Sequence, residues 1–179
     1  MNFKPLFTDE HCKILNNESD VCKACKGKCC SNSGCCIIPK DFKSYPDITK
    51  EDIMIALASG CIVMSREYDN YFLVMRGINT SETKIYSEYP SQCVALTENG
   101  CRYKFENRPF GGRILRPQKD TMCAKGSYRL DRAGLAWKNY QDILNEIIDE
   151  YLTNDFKFLY ELIDYKKKYY NETEEIWGQ

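Results

Sequence analysis

Residues 22–36 read CKACKGKCCSNSGCC, with six cysteines in fifteen positions and two adjacent doublets. Cys22 and Cys25 are spaced Cys-x-x-Cys, which lets two sulfurs point at one ion around a tight turn. Cys29 follows across Lys26, Gly27 and Lys28, and Gly27 admits backbone conformations that other residues resist. Cys30 completes the first doublet. Cys35 and Cys36 form the second, after Asn32, Ser33 and Gly34. Thiolates are soft ligands suited to zinc and to iron–sulfur centres. The doublets add a geometric condition. In an extended chain neighbouring side chains point to opposite sides, so two adjacent cysteines do not easily reach one small ion. Either each doublet serves two centres or one member is a spare, buried thiol. A structural zinc takes four ligands, which this loop alone could supply. Seven or eight sulfurs would serve two zincs, or one iron–sulfur cluster with spares.

The rest of the chain bounds that reading. At 179 residues, 43% of them hydrophobic, it is expected to form one domain with a core that needs no cross-links. The expected layout is an N-terminal extension over 1–21, a cysteine-cluster region over 22–128 and a helical hairpin over 129–179 packed on it. No run of 18 apolar residues occurs, so no membrane span is expected. A formal net charge of -1 argues against a nucleic-acid binder driven by bulk electrostatics. MNFKPLFTDEHC at the start has no apolar h-region and no small-residue cleavage site, which points to the cytoplasm. Eleven cysteines is an odd number in a chain too long for a disulfide mini-scaffold, and a reducing compartment favours metal over disulfides. Three further cysteines, Cys93, Cys101 and Cys123, share one later segment. Cys93 and Cys101 flank a turn at Thr97–Gly100, which would bring their sulfurs within reach of one site. Cys12 and Cys61 stand apart and read as structural.

Local patterns place these residues. Thr49 with Asp52 three positions on is a helix start, and DIMIALASG (52–60) reads as a helix stopped by Gly60. CIVMSRE (61–67) and YFLVMRG (71–77) read as a strand hairpin about Asp69 and Asn70. KIYSEY (84–89) reads as a third short strand. CVALTENGC (93–101) reads as two short extended pieces around a turn. ENRPFGGRILRP (106–117) reads as a loop of defined path, because it holds two Arg–Pro pairs and Gly111–Gly112. From Asp131, read as an N-cap, apolar residues at Leu135, Tyr140, Ile143, Leu144, Ile147, Ile148, Tyr151 and Leu152 keep helical spacing. Thr153–Asp155 interrupts. A second helix follows with Phe156, Leu159, Ile163 and Tyr165 or Lys166 on alternate faces, making an antiparallel pair that could also receive a protein partner. Lys166–Lys168 reads as a solvated face. The fold class is therefore α+β: a small metal-stapled, cysteine-rich region with short antiparallel strands, plus the C-terminal helical pair.

His11 is the sole histidine. Hydrolytic zinc sites built on two or three histidines with an open position are excluded, and a Cys–His nucleophile has no support. No GxGxxG, GxxxxGK[ST] or HExxH occurs. The candidate ligands are Cys22, Cys25, Cys29, Cys30, Cys35, Cys36, Cys93, Cys101 and Cys123.

CKACKGKCC, followed by Gly34-Cys35-Cys36, Pro39 and Asp41-Phe42, resembles the YkgJ-type cysteine-cluster family, described as zinc- or iron-chelating proteins. CVALTENGCRYKFENRP (93–109) resembles that family's second signature, in which a cysteine, a leucine, a Gly–Cys and an Arg–Pro follow in order. Many members carry a cysteine just before the next arginine. Here Gly112 precedes Arg113, so that ligand is absent, and the extra thiol at Cys36 is a second departure. The resemblance spans about residues 22–125. It implies metal binding and no settled reaction, although some relatives belong to lysine-modifying methyltransferase systems. The expectation is a zinc-chelating protein with a structural, thiolate-bound Zn2+. The alternative is iron, or an iron–sulfur cluster with a redox or methyltransferase-related role.

Overall fold

In the computed structural model, residues 20–88, 91–113 and 130–170 are described, with residues 21, 22, 130 and 131 described by backbone alone. Chain order is α1 (Asp20–Cys25), β1 (Cys36–Ile37), α2 (Lys50–Ala58), β2 (Ile62–Glu67), β3 (Asn70–Met75), β4 (Leu96–Thr97), β5 (Gly100–Cys101), α3 (Phe110–Arg113), α4 (Leu130–Ala136), α5 (Gln141–Thr153) and α6 (Asp155–Tyr170). The fold is mixed α and β, with short antiparallel strands followed by C-terminal helices.

β2 and β3 are the hairpin legible in the sequence, paired from Ile62 opposite Met75 to Glu67 opposite Asn70. β-Branched and aromatic residues here suit a pleated, half-buried surface. The third strand is not KIYSEY. Among the described residues of that segment there is a single bridge, Tyr86 opposite Met64. β1 completes the sheet instead, antiparallel to β3 in the order β1-β3-β2. A two-residue strand inside a cysteine loop carries too short a pattern to be read as one. β4 and β5 form the small hairpin expected around Thr97–Gly100.

α2 begins where Thr49 caps it: the Asp52 N–H donates to Thr49 Oγ1, and the Thr49 N–H returns a bond to the Asp52 carboxylate at 2.8 Å. It ends before Gly60, whose φ of 68° lies in the left-handed region. One cluster of buried residues joins the sheet to α2 and to the C-terminal helices. Trp137 is its largest fully buried side chain, edge-on to Phe42 at 5.7 Å, and its indole N–H donates to the Ile37 carbonyl at 2.8 Å. Burying a ring of this size contributes about 4–6 kcal/mol gross.

The helical stretch from residue 130 differs from its sequence pattern in three ways. Asp131 lies within α4, not at its cap. The helix is interrupted at Lys138–Tyr140 by a 3-10 turn. In α6 the inward face is Phe158, Leu162 and Lys166, four residues apart, whereas Phe156 is 79% exposed and Ile163 is exposed. Lys166 is thus buried within the Lys166–Lys168 run, on the same face as Leu162 and Phe158; a lysine stem packs well against apolar neighbours. α6 packs chiefly on α2 and also touches α5. Lys50 at the start of α2 holds Glu146 and Glu150 of α5 at 3.0 Å and 2.6 Å. Such partly exposed pairs contribute about 0–1 kcal/mol each. No described helix is long and apolar enough to cross a membrane.

Candidate metal centre

The two cysteine-bearing segments meet. The Cys93 N–H donates to the Cys30 carbonyl at 2.8 Å, and the Met75 N–H donates to the Cys35 carbonyl at 3.0 Å. The first bond ties the loop to the β4–β5 segment, the second to the end of β3. Two glycines allow this approach. Gly27, at φ 88°, opens the 3-10 turn Lys28–Ser31, and a Cβ there would stand 2.8 Å from a methyl of Leu96. Gly34 lies so close to Met75 that a Cβ would overlap its backbone carbonyl.

Between the segments is a cavity of about 500 Å³, and Cys25, Cys29, Cys30, Cys35, Cys93 and Cys101 all line it. None of the described cysteines is in a disulfide. Cys29 and Cys30 both reach the cavity because Lys28–Ser31 is a 3-10 turn, in which successive side chains do not alternate between two faces. The second doublet behaves as an extended chain requires. Cys35 faces the cavity, while Cys36, on β1, is buried in the core beneath Gly111. Cys61 is also buried and does not line the cavity; it lies beside Tyr103, which does. The side chain of Cys22 and all of Cys123, Cys12 and His11 lie outside the described residues. Among the described residues, no three Cys, His, Asp or Glu side chains converge tightly enough to hold one ion as they stand.

The sulfurs sense one another. The hydrogen bond from the Cys30 thiol lowers the pKa of Cys29, helped by backbone N–H groups and the charge of Arg108. That same bond, together with burial and neighbouring thiols, raises Cys30. Burial and then Cys93 raise Cys35, and burial pushes Cys93 up to about 11. Several thiols in one low-dielectric space resist ionising together, and a cation among them removes that penalty. In chemistry, though not in present spacing, a set of thiol sulfurs is what a soft metal ion takes.

Sequence reading missed the wall opposite the loop. The Arg–Pro and Gly–Gly pairs of 106–117 point to a loop of defined path, yet within it Phe110–Arg113 makes one helical turn, α3, against β1. Gly112 lines the cavity, with the Cys35 sulfur 3.3 Å from where its Cβ would stand. Asp41 anchors this turn. It is fully buried and accepts from the Phe110 N–H at 3.0 Å and from Arg113 at 3.5 Å.

Comparison of the chain with protein-family models, with curated proteins and with solved structures returned no match.

Proposed function

We propose that this chain is a metal-binding protein in which thiolates from two distant segments hold a soft metal ion, zinc foremost. The observation that carries the reading is the meeting of six free thiols, four from residues 25–35 and two from 93–101, on one cavity. The YkgJ-type resemblance supports it at a position the sequence left empty. Where many members carry a cysteine before the arginine, this chain has Gly112, and Gly112 faces that cavity. An all-thiolate site without an open position is structural. Zinc bound in this way contributes on the order of 10–16 kcal/mol in small peptides, comparable to the whole net stability of a domain, ~5–15 kcal/mol. A reducing, cytoplasmic setting goes with such a site. The bound metal would supply charge neutralisation and a cross-link between the loop and the β4–β5 segment; the donors would come from among Cys25, Cys29, Cys30, Cys35, Cys93 and Cys101.

One observation favours a second reading. Six sulfurs around about 500 Å³ are more than one four-coordinate zinc uses, which suits an iron–sulfur cluster with a redox or methyltransferase-related role. Purification without oxygen, followed by a visible spectrum and zinc, iron and sulfide assays, separates the two. A colourless protein with stoichiometric zinc supports the first, and a brown protein with iron and sulfide the second. Absence of either metal at stoichiometric level refutes both. In a Cys→Ser series, Cys22, Cys25 and Cys29 are expected to cost most metal and Cys36 little. Full metal content in Cys25→Ser or Cys29→Ser would remove the loop from the site.

A further inference from the structure

Five residues lining the thiol cavity are cationic, Lys23, Lys26, Arg102, Lys104 and Arg108, and none of the described lining residues is Asp or Glu. The chain as a whole is nearly balanced, with 25 Lys and Arg against 26 Asp and Glu, so the one-sided wall is a local arrangement. Lys23 sits at the outer rim with Asp20, 3.2 Å away. Arg102, Lys104 and Arg108 come from the single segment leaving β5. Arg108 is already positioned: its Nε donates to the Tyr103 carbonyl at 3.2 Å, and its guanidinium lies 5.6 Å from the centre of the Phe105 ring. A guanidinium already held by its neighbours gives up less freedom when an anion arrives. Cations of one sign around a concavity with apolar walls focus their field into it. Met75, Phe105 and Pro109 supply such walls. The volume, about 500 Å³, lies within the ~300–1,000 Å³ of small-molecule sites.

We infer that the cavity takes a small organic anion, whose carboxylate or phosphate pairs with Arg108 and with Arg102 or Lys104 while its apolar body lies on Phe105 and Met75. The inference shares a cavity with the proposed metal site but does not depend on it, because the anion's contacts are the cations and the apolar wall, not the sulfurs. The competing account is that the cations only offset thiolate charge. A concave wall with a half-buried, pre-positioned arginine is built for a small ligand more than for the surface of an acidic protein.

The test is calorimetric titration of the full chain at physiological salt with phenyl phosphate and with phenylpropionate, using benzyl alcohol as the uncharged control. Metal content is measured in the same samples. Saturable binding of one or both anions, and none of the alcohol, is expected; which anion binds distinguishes phosphate from carboxylate. Arg108→Gln is expected to weaken it at least tenfold. The double variant Arg102→Gln/Lys104→Gln, at two exposed positions, is expected to do the same without loss of fold. Lys157→Gln, exposed on α6 and not part of the cavity, leaves binding unchanged. Failure of both anions to saturate, or wild-type binding by the double variant, overturns the inference. Metal-free protein that binds the anion keeps this inference and removes the metal reading. Metal-loaded protein that binds neither anion does the reverse.

Discussion

Asp41→Ala tests how the cavity is held together. Asp41 is fully buried. One carboxylate oxygen accepts from the Ile38 N–H at 3.0 Å; the other accepts from the Phe110 N–H at 3.0 Å and from Arg113 at 3.5 Å. It therefore joins the turn after β1 to α3, the element that presents Gly112 to the thiols. The alanine variant takes this carboxylate from a buried guanidinium and leaves two backbone donors without this acceptor. Removing one partner of a buried ion pair costs about 3–5 kcal/mol. A chain of this size shifts in Tm by about 2–4 °C per kcal/mol, so the expected fall is about 6–20 °C. Asp41→Asn keeps the shape and one acceptor but not the charge, and should fall between the two. The assay is thermal unfolding by circular dichroism at pH 7.5, with metal content measured after gel filtration. Loss of metal should accompany loss of stability, since α3 forms one wall of the cavity. A fall of under 2 °C for the alanine variant, or an asparagine variant as damaged as the alanine one, would refute the reasoning.

Other outcomes follow from the same buried contacts. Burial, opposed by the two N–H groups and Arg113, pushes Asp41 up to about 6 from an ordinary value of 3.8. Between those values the folded chain binds a proton that the unfolded chain releases, so this group's contribution to stability falls as pH rises from 4 through 6; the Tm of wild type relative to Asp41→Asn should shrink over that interval. Gly111→Ala would bring a Cβ onto the Cys36 carbonyl and to 2.9 Å from its nitrogen, so α3 must move off β1, at about 1–3 kcal/mol, read as a lower denaturant midpoint. Thr49→Ala removes the α2 cap, with an expected loss of about 0.5–2 kcal/mol and no change in metal content, because α2 does not reach the cavity.

Much of the local structure was legible because it depends on neighbours in the chain. The Thr49 capping box, the Gly60 stop, the β2–β3 hairpin and the turn between Cys93 and Cys101 are all set by residues within a few positions of one another. Helix faces were less legible. α6 offers apolar residues on both sides, and packing on α2 buries Phe158 and Leu162 while leaving Phe156 and Ile163 outside. Periodicity alone does not choose between two such stripes. β1 was hidden because two residues carry no period, and α3 because Gly111–Gly112 reads as a break until Cys36 is seen to occupy the space a side chain would take.

The chain by itself determined that thiols would dominate its chemistry, since eleven cysteines, one histidine and no phosphate-cradling or hydrolytic motif leave few other reactive groups. It also set the condition that two adjacent cysteines on an extended backbone face opposite sides, while leaving open which doublet is extended. Tertiary structure alone decided which sulfurs share a space. The 3-10 turn lets Cys29 and Cys30 both line the cavity, and the hydrogen bond from the Cys93 N–H to the Cys30 carbonyl closes a separation of more than sixty residues. It also set Arg102, Lys104 and Arg108 around those thiols. Such proximity depends on how hairpins and turns pack, and packing is a property of the whole folded chain.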